Sequence, residues 1–267
     1  MRRVLIAACL LLILRVFTAC GGRGDEGGVS GNSDTSSATS SMALGSSQAT
    51  PILLFIGKGT SPGDVTAIEK ILTDKHLNYS AVNSSQLNRM SESQLQGHRL
   101  LIVPGGNFIN IGNGLTSNKT SNIRNAVRSG LNYLGICAGA FFAGDSGYNG
   151  LNLTSGIKFP FYAAEDHGIR KAAVLIAVAR APTLEHYWED GPQLTGWGVV
   201  VGKYPDGTPA IVQGEFGSGW VLLTGVHPEA PASWRRGMNF NTPASVDNDY
   251  AATLVLAALN RSPLPHY

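Results

Sequence analysis

Apolar side chains are spread unevenly along this chain, and their spacing divides it into three stretches. Residues 4–14 form an almost unbroken apolar run behind Arg2 and Arg3. Residues 20–49 hold almost no large apolar side chain. From Thr50 onward, short apolar runs alternate with segments of helical spacing. Ile52-Leu53-Leu54-Phe55-Ile56, ended by Gly57 and Gly59, has the continuous character of a strand buried on both faces. Pro62 and Asp64 open a helix whose apolar positions are Val65, Ile68, Ile71 and Leu72. The spacing then predicts strands at 79–82 and 100–103, the second stopped by Pro104-Gly105-Gly106, a helix over 121–130, and a strand over 131–136 that runs into Cys137. This β-α-β-α order implies a parallel sheet with helices on both faces, an α/β three-layer sandwich. The pattern is looser over 151–216, where strands are predicted at 172–178, 198–201 and 210–213. A strand at 220–225 then leads to Val226-His227-Pro228-Glu229, and a helix follows over 246–259.

The N-terminal stretch reads as an export signal over 1–19: a charged start, a short apolar core and small residues (Thr18, Ala19) before Cys20. The run is interrupted by Arg15 and is too short for a permanent membrane span. Thr18-Ala19-Cys20-Gly21-Gly22 resembles a bacterial lipoprotein box, which implies that Cys20 becomes an acylated first residue and a membrane anchor, with an ordinary secretory peptide as the alternative. Ile6-Ala7-Ala8-Cys9 also looks box-like but has only Val4 and Leu5 as its apolar lead-in. Residues 20–49 read as a flexible Gly/Ser-rich tether, unable to bury enough surface to offset ordering entropy, and Arg23-Gly24-Asp25 within it carries no functional weight. The body, 50–267, reads as one domain with no internal linker. The expected location is the bacterial cell envelope, anchored to the membrane, or periplasmic or secreted if the cysteine is incidental.

Composition narrows the function classes. Charged residues make up only 14% of the 267, against 43% hydrophobic, which excludes a charge-rich disordered chain. The formal charge of +2 includes Arg2, Arg3 and Arg15; without them 17 bases face 18 acids. A near-neutral body lacks the electrostatic footprint of a nucleic-acid binder. Three cysteines are too few for a disulfide scaffold. Once Cys9 and Cys20 are given to the signal and the anchor, Cys137 is the one left in the body.

Gly135-Ile136-Cys137-Ala138-Gly139 places that cysteine at a strand-to-helix junction between glycines, the pattern of a nucleophile elbow. The helix that follows offers its positive end to a thiolate. Pro104-Gly105-Gly106-Asn107 follows another strand, where backbone N–H groups can join that of Ala138 in stabilising an oxyanion. His227-Pro228-Glu229 ends a third strand; His227 can serve as the base and Glu229 as the carboxylate that orients it. Ligand sites in parallel sheets form at the carboxyl ends of strands, so the three loops can converge. His76, His98, Glu165, His167, His186 and Glu189 lack ligand spacing, and no metal is expected. Tyr162, Tyr187, Trp188 and Trp197 are read as core residues that could line a pocket, and Gly57-x-Gly59 is not a phosphate loop, so no cofactor is expected.

These residues resemble the class I glutamine amidotransferase superfamily, with its Cys and His-x-Glu triad. L-L-I-V-P-G-G, Y-L-G-I-C-A-G-A-F-F-A and G-W-V-L-L-T-G-V-H-P-E look most like the N-terminal domain of biotin–protein ligases, over about residues 50–230. The resemblance implies a flavodoxin-like, mostly parallel sheet, with Cys137 as nucleophile, His227 as base, Glu229 as orienting acid, and Gly105, Gly106 and Ala138 at the oxyanion hole. The family's ligase domain is expected to be absent, since no biotin- or ATP-binding signature is read here. Related PfpI-type proteins carry His directly after the cysteine; Ala138 in that place favours the amidotransferase-type triad. Glutaminase domains pass ammonia to an ATP-consuming synthetase, which is not expected outside the cytoplasm. The reading is therefore a stand-alone thiol hydrolase of an amide, with glutamine as the default substrate and a peptide or cell-wall amide as the alternative. The other hypothesis is a non-catalytic ligand-binding or scaffold lipoprotein; partner proteins are not readable.

Overall fold

The computed structural model describes residues 49–163 and 170–267. The expected signal, most of the tether, Cys9, Cys20 and Arg23-Gly24-Asp25 lie outside the described residues, as do Glu165 and His167. The elements are β1 (Ile52–Phe55), α1 (Pro62–Asp74), β2 (Tyr79–Val82), α2 (Ser84–Arg89), α3 (Glu92–Gln96), β3 (Leu100–Val103), α4 (Phe108–Asn113), α5 (Ser117–Arg128), β4 (Asn132–Ile136), α6 (Ala138–Ala143), β5 (Lys171–Val178), β6 (Leu184–Glu189), β7 (Val199–Lys203), β8 (Pro209–Phe216), β9 (Gly219–Thr224) and α7 (Ala244–Asn260).

One mixed sheet runs β2-β1-β3-β4-β9-β8-β7-β5-β6. Its first five strands are mutually parallel, in the flavodoxin-like order, and the remaining four extend it in antiparallel fashion. Alternate residues of the parallel strands feed two separate cores, as a period of two requires. Leu53, Leu101, Val103, Tyr133, Val221 and Leu223 pack on the α5 and α6 side with Ile123, Val127 and Phe142. Ile52, Leu54, Ile102, Leu134 and Leu222 pack on the α1 and α7 side with Ile68, Leu72, Leu254 and Val255. The inner strands β1 and β3 are apolar on both faces because helices cover both, giving the expected α/β three-layer arrangement. Among the described residues, no helix is long and apolar enough to cross a membrane.

Two sequence expectations shift here. The helix expected over 121–130 begins earlier, at Ser117, because the Thr116 hydroxyl accepts the Lys119 N–H and caps it. Strand β6 was not expected at all. Its sequence, L-E-H-Y-W-E, mixes charged and aromatic residues, yet its middle four residues are buried. Glu185 accepts from Asn241 and Thr242, while His186 stacks on Tyr250 and lies beside Asp247. Polar partners from the loop at Asn241 and Thr242 and from α7 thus take the place of the alternation that marks most strands.

Candidate active site

Cys137 occupies the junction of β4 and α6 in a strained conformation, φ 49° and ψ −102°. The glycines on either side are required by close packing. A Cβ on Gly139 would meet the Val103 carbonyl oxygen at 1.9 Å, and one on Gly135 would meet that of Gly139 at 2.6 Å. The turn is tied to the sheet by the Cys137 N–H, which donates to Thr224 O at 2.8 Å. Cys137 is buried, and its sulfur lies 3.6 Å from the Glu189 carbonyl oxygen, a bond the protonated thiol donates. It is a free thiol.

His227 leaves the end of β9. Its N–H donates to Tyr187 O at 2.8 Å, and Asn248 Nδ2 on α7 donates to Pro228 O at 3.1 Å, so the loop is held from two sides. The ring Nδ1 is 2.9 Å from Glu229 Oε1 and 3.1 Å from Asp64 Oδ1. His227, Glu229 and Asp64 are all buried. Cys137 and His227 line one cavity of about 310 Å3, together with Ala138, Gly106, Asn107 and Asp64. The structure therefore brings Cys137, His227, Glu229, Gly106 and Ala138 to one site. Gly105 stands differently: it does not line the cavity but backs it. A Cβ there would lie 2.1 Å from Asp64 Oδ1 and 2.7 Å from His227 Cε1, so its missing side chain makes room for that pair.

Asp64 was read from the sequence only as a residue opening α1. Ser61 caps that helix, its hydroxyl accepting the Asp64 N–H at 3.5 Å, and the carboxylate folds back toward His227. A carboxylate in the first turn of a helix is an ordinary capping feature, which concealed the second role.

The electrostatics follow from three acids and bases in little water. Burial opposes the charge on His227, but the Cys137 sulfur, Glu229 and Asp64 outweigh it and hold its proton well above the usual imidazole range. For Asp64, burial is outweighed by the charge and hydrogen bond of His227, and its carboxyl lies below the ordinary range. Glu229 moves the other way, pushed up by burial that the imidazolium only partly offsets. Asp64, His227 and Glu229 each offer a donor atom within 4.8 Å of the others and form a set able to ligate a cation. The Nδ1 proton occupies the same place, and a cation would have to displace it.

The expected candidates fall in several places. Tyr187 faces a neighbouring cavity, Trp188 belongs to the core, Tyr162 stacks on Tyr204, and Trp197 packs half-buried against the core. His98 bonds the Thr50 carbonyl oxygen, and His76 sits past the end of α1, both remote from Cys137 in the fold.

Residues 50–148 match the family described as biotin-protein ligase, N terminal. The matched stretch includes Asp64, Gly105, Gly106, Cys137 and Ala138, and ends well before His227 and Glu229, short of the 50–230 span read from sequence. Among solved structures, the chain is similar to a glutamine amidotransferase, with 19% identity, a TM-score of 0.51, and coverage of 67% of this chain and 90% of that one. It is also similar to the PurLQS structure of Thermotoga maritima, with 16% identity, a TM-score of 0.52, and coverage of 78% and 99%. No curated protein matches the sequence. The fold is glutamine amidotransferase-like.

Proposed function

We propose that this protein is a thiol-dependent amide hydrolase that uses Cys137 and His227, the latter oriented by Glu229 and Asp64, and works through a thioester. The observation that supports the reading most is the strained, glycine-flanked Cys137 sharing a cavity with a buried histidine whose Nδ1 bonds Glu229 and lies 3.1 Å from Asp64. The Cys137 thiolate attacks the amide carbonyl carbon. The N–H groups of Ala138, at the start of α6, and of Gly106 face the developing oxyanion. The imidazolium gives its proton to the departing nitrogen as the C–N bond breaks. Neutral His227 then takes a proton from the water that splits the thioester, which restores the thiolate and releases the acid.

Alkylation of Cys137 by iodoacetamide at neutral pH, with the whole chain, is expected to run at least about ten times faster than alkylation of a free peptide thiol. His227→Ala is expected to abolish the difference, and Cys137→Ala to abolish release of ammonia or amine from a panel of amides. A rate equal to that of the peptide thiol would favour a ligand-binding or scaffold role.

The chain is also proposed to be exported and held at the cell envelope by acylated Cys20, which the residues around Ala19-Cys20-Gly21 support. Mass spectrometry of the mature protein should find a diacylglyceryl-modified Cys20 as residue one; an unmodified N-terminus there or beyond removes the anchor.

A further inference from the structure

A second cavity of about 460 Å3 adjoins the site. Ser61, Asp64, Glu189 and His227 line both cavities, whereas Cys137 and Ala138 line only the first. Lys171, Arg236 and Trp234 line only the second. His227 thus has the nucleophile on one side and an aromatic and cationic chamber on the other. Trp234 stands edge-on to His227, with ring centroids 5.9 Å apart, and packs against Tyr187 at 5.5 Å.

With His227 protonated, three cations, Lys171, Arg236 and His227, face two carboxylates, Asp64 and Glu189, along the wall of this chamber. Asp64 is paired with His227, whereas Glu189 accepts from the neutral Tyr187 hydroxyl, keeps its charge and stands opposite Lys171 across β5 and β6. In the first cavity Arg170 and Asp190 satisfy each other. The Lys171 and Arg236 side chains make no hydrogen bond or ion pair among the described residues, and both residues are exposed. The N-terminal turn of α1, a helix of 13 residues, opens onto the same space through Ser61 and Gly63, adding the positive end of its dipole. The segment carrying Trp234 and Arg236 is firmly placed, because Arg235 between them is buried against Asp247 and donates to Thr242 O at 3.0 Å.

We propose that the second cavity holds the amine side of a secondary amide whose nitrogen substituent carries a carboxylate or a similar anion. This rests on Cys137 being the nucleophile and His227 the proton donor, and it narrows the substrate class. The group that receives the His227 proton is the leaving nitrogen, so a substituent on that nitrogen extends past His227 into the chamber. A primary amide such as glutamine places only a hydrogen there and leaves Lys171 and Arg236 without a ligand. In the reaction the Cys137 sulfur bonds to the acyl carbon, the C–N bond breaks, and the nitrogen keeps its electron pair and takes the His227 proton. The anionic amine departs from the second cavity, and water then converts the thioester to the acid.

Two haloacetamides separate this inference from the reading beneath it. N-iodoacetylglycine carries a carboxylate tail on the amide nitrogen, and N-iodoacetylglycinamide is its neutral counterpart. With the whole chain, the carboxylate reagent is expected to alkylate Cys137 about three to ten times faster, relative to the pair's rates on a peptide thiol. Lys171→Ala and Arg236→Ala should each reduce that ratio, and the double variant should bring it to one. Lys70→Ala, which removes a cation elsewhere on the surface, should leave the ratio alone. Fast alkylation with no preference between the tails would overturn the anion subsite and leave the nucleophile standing. Slow alkylation that keeps the preference would overturn the hydrolase reading and leave the subsite. A preference that survives in the double variant would also overturn the inference.

Discussion

Replacing Asp247 by alanine is expected to cost about 3–5 kcal/mol of folding stability, the usual consequence of removing one partner from a buried ion pair. Asp247 is fully buried in the first turn of α7, hydrogen-bonded to Arg235, which is 7% exposed, and 3.2 Å from Nδ1 of buried His186. Without the carboxylate, the Arg235 guanidinium keeps only the Thr242 carbonyl oxygen among its hydrogen-bond partners. With Arg235 only 7% exposed, little water can compensate, so the charge is poorly solvated. Urea unfolding checks this: the midpoint should fall sharply while the slope is unchanged. The double variant Arg235→Met/Asp247→Leu should recover most of the loss, because it removes both charges and keeps the volume. A loss below about 1 kcal/mol would mean that the pair is hydrated in solution. The same anchor holds Trp234 and Arg236, so Asp247→Ala should also weaken any selectivity exerted by the second cavity.

That anchor shows where sequence reading stops. The parallel half of the molecule was legible because its inner strands are continuous apolar runs that stop at turn residues or a glycine-flanked junction, as in Leu100 to Gly106 and Asn132 to Cys137. Those same strand ends carry Cys137, Gly106 and Ala138, and β9 carries His227, so the site could be assembled from strand order alone. Strand β6 hid because the groups that meet its buried Glu185 and His186 lie in the 241–250 region, some 56 residues later, a pairing with no local signature. Asp64 hid for the opposite reason. Its local signature, an acid beside a Ser cap, is fully explained by the helix it begins, and only the packing of Gly105 between α1 and His227 reveals the second role. A residue with a sufficient local reason conceals a distant one.

Asp64→Asn is expected to slow Cys137 alkylation and any amide turnover by on the order of 10²- to 10⁴-fold, the effect of losing the charge that holds a catalytic imidazole in its tautomer. Glu229→Gln should cost less. The two carboxylates face a single Nδ1 proton, at 3.1 and 2.9 Å, and they are not equivalent. Burial pushes Glu229 up, so it takes a proton first as the pH falls, whereas Asp64, despite its own burial, is held ionised by His227 and the first turn of α1. The negative charge opposite the imidazolium therefore rests with Asp64 over the wider pH range. The signs follow for stability. Asp64, held below its unfolded value, contributes stability above the ordinary carboxylate range, and that contribution is lost as the pH falls through its lowered value. His227, held above its unfolded value, contributes at and below the ordinary imidazole range, and loses that contribution as the pH rises through its raised value. Titration of the His227 ring followed by NMR should show protonation persisting above the ordinary range in the native protein, falling steeply in Asp64→Asn and less in Glu229→Gln. A purely structural defect in Asp64→Asn would lower stability without moving that titration relative to Glu229→Gln. Equal shifts, or a larger one in Glu229→Gln, would return the orienting role to Glu229 and leave Asp64 as a helix cap.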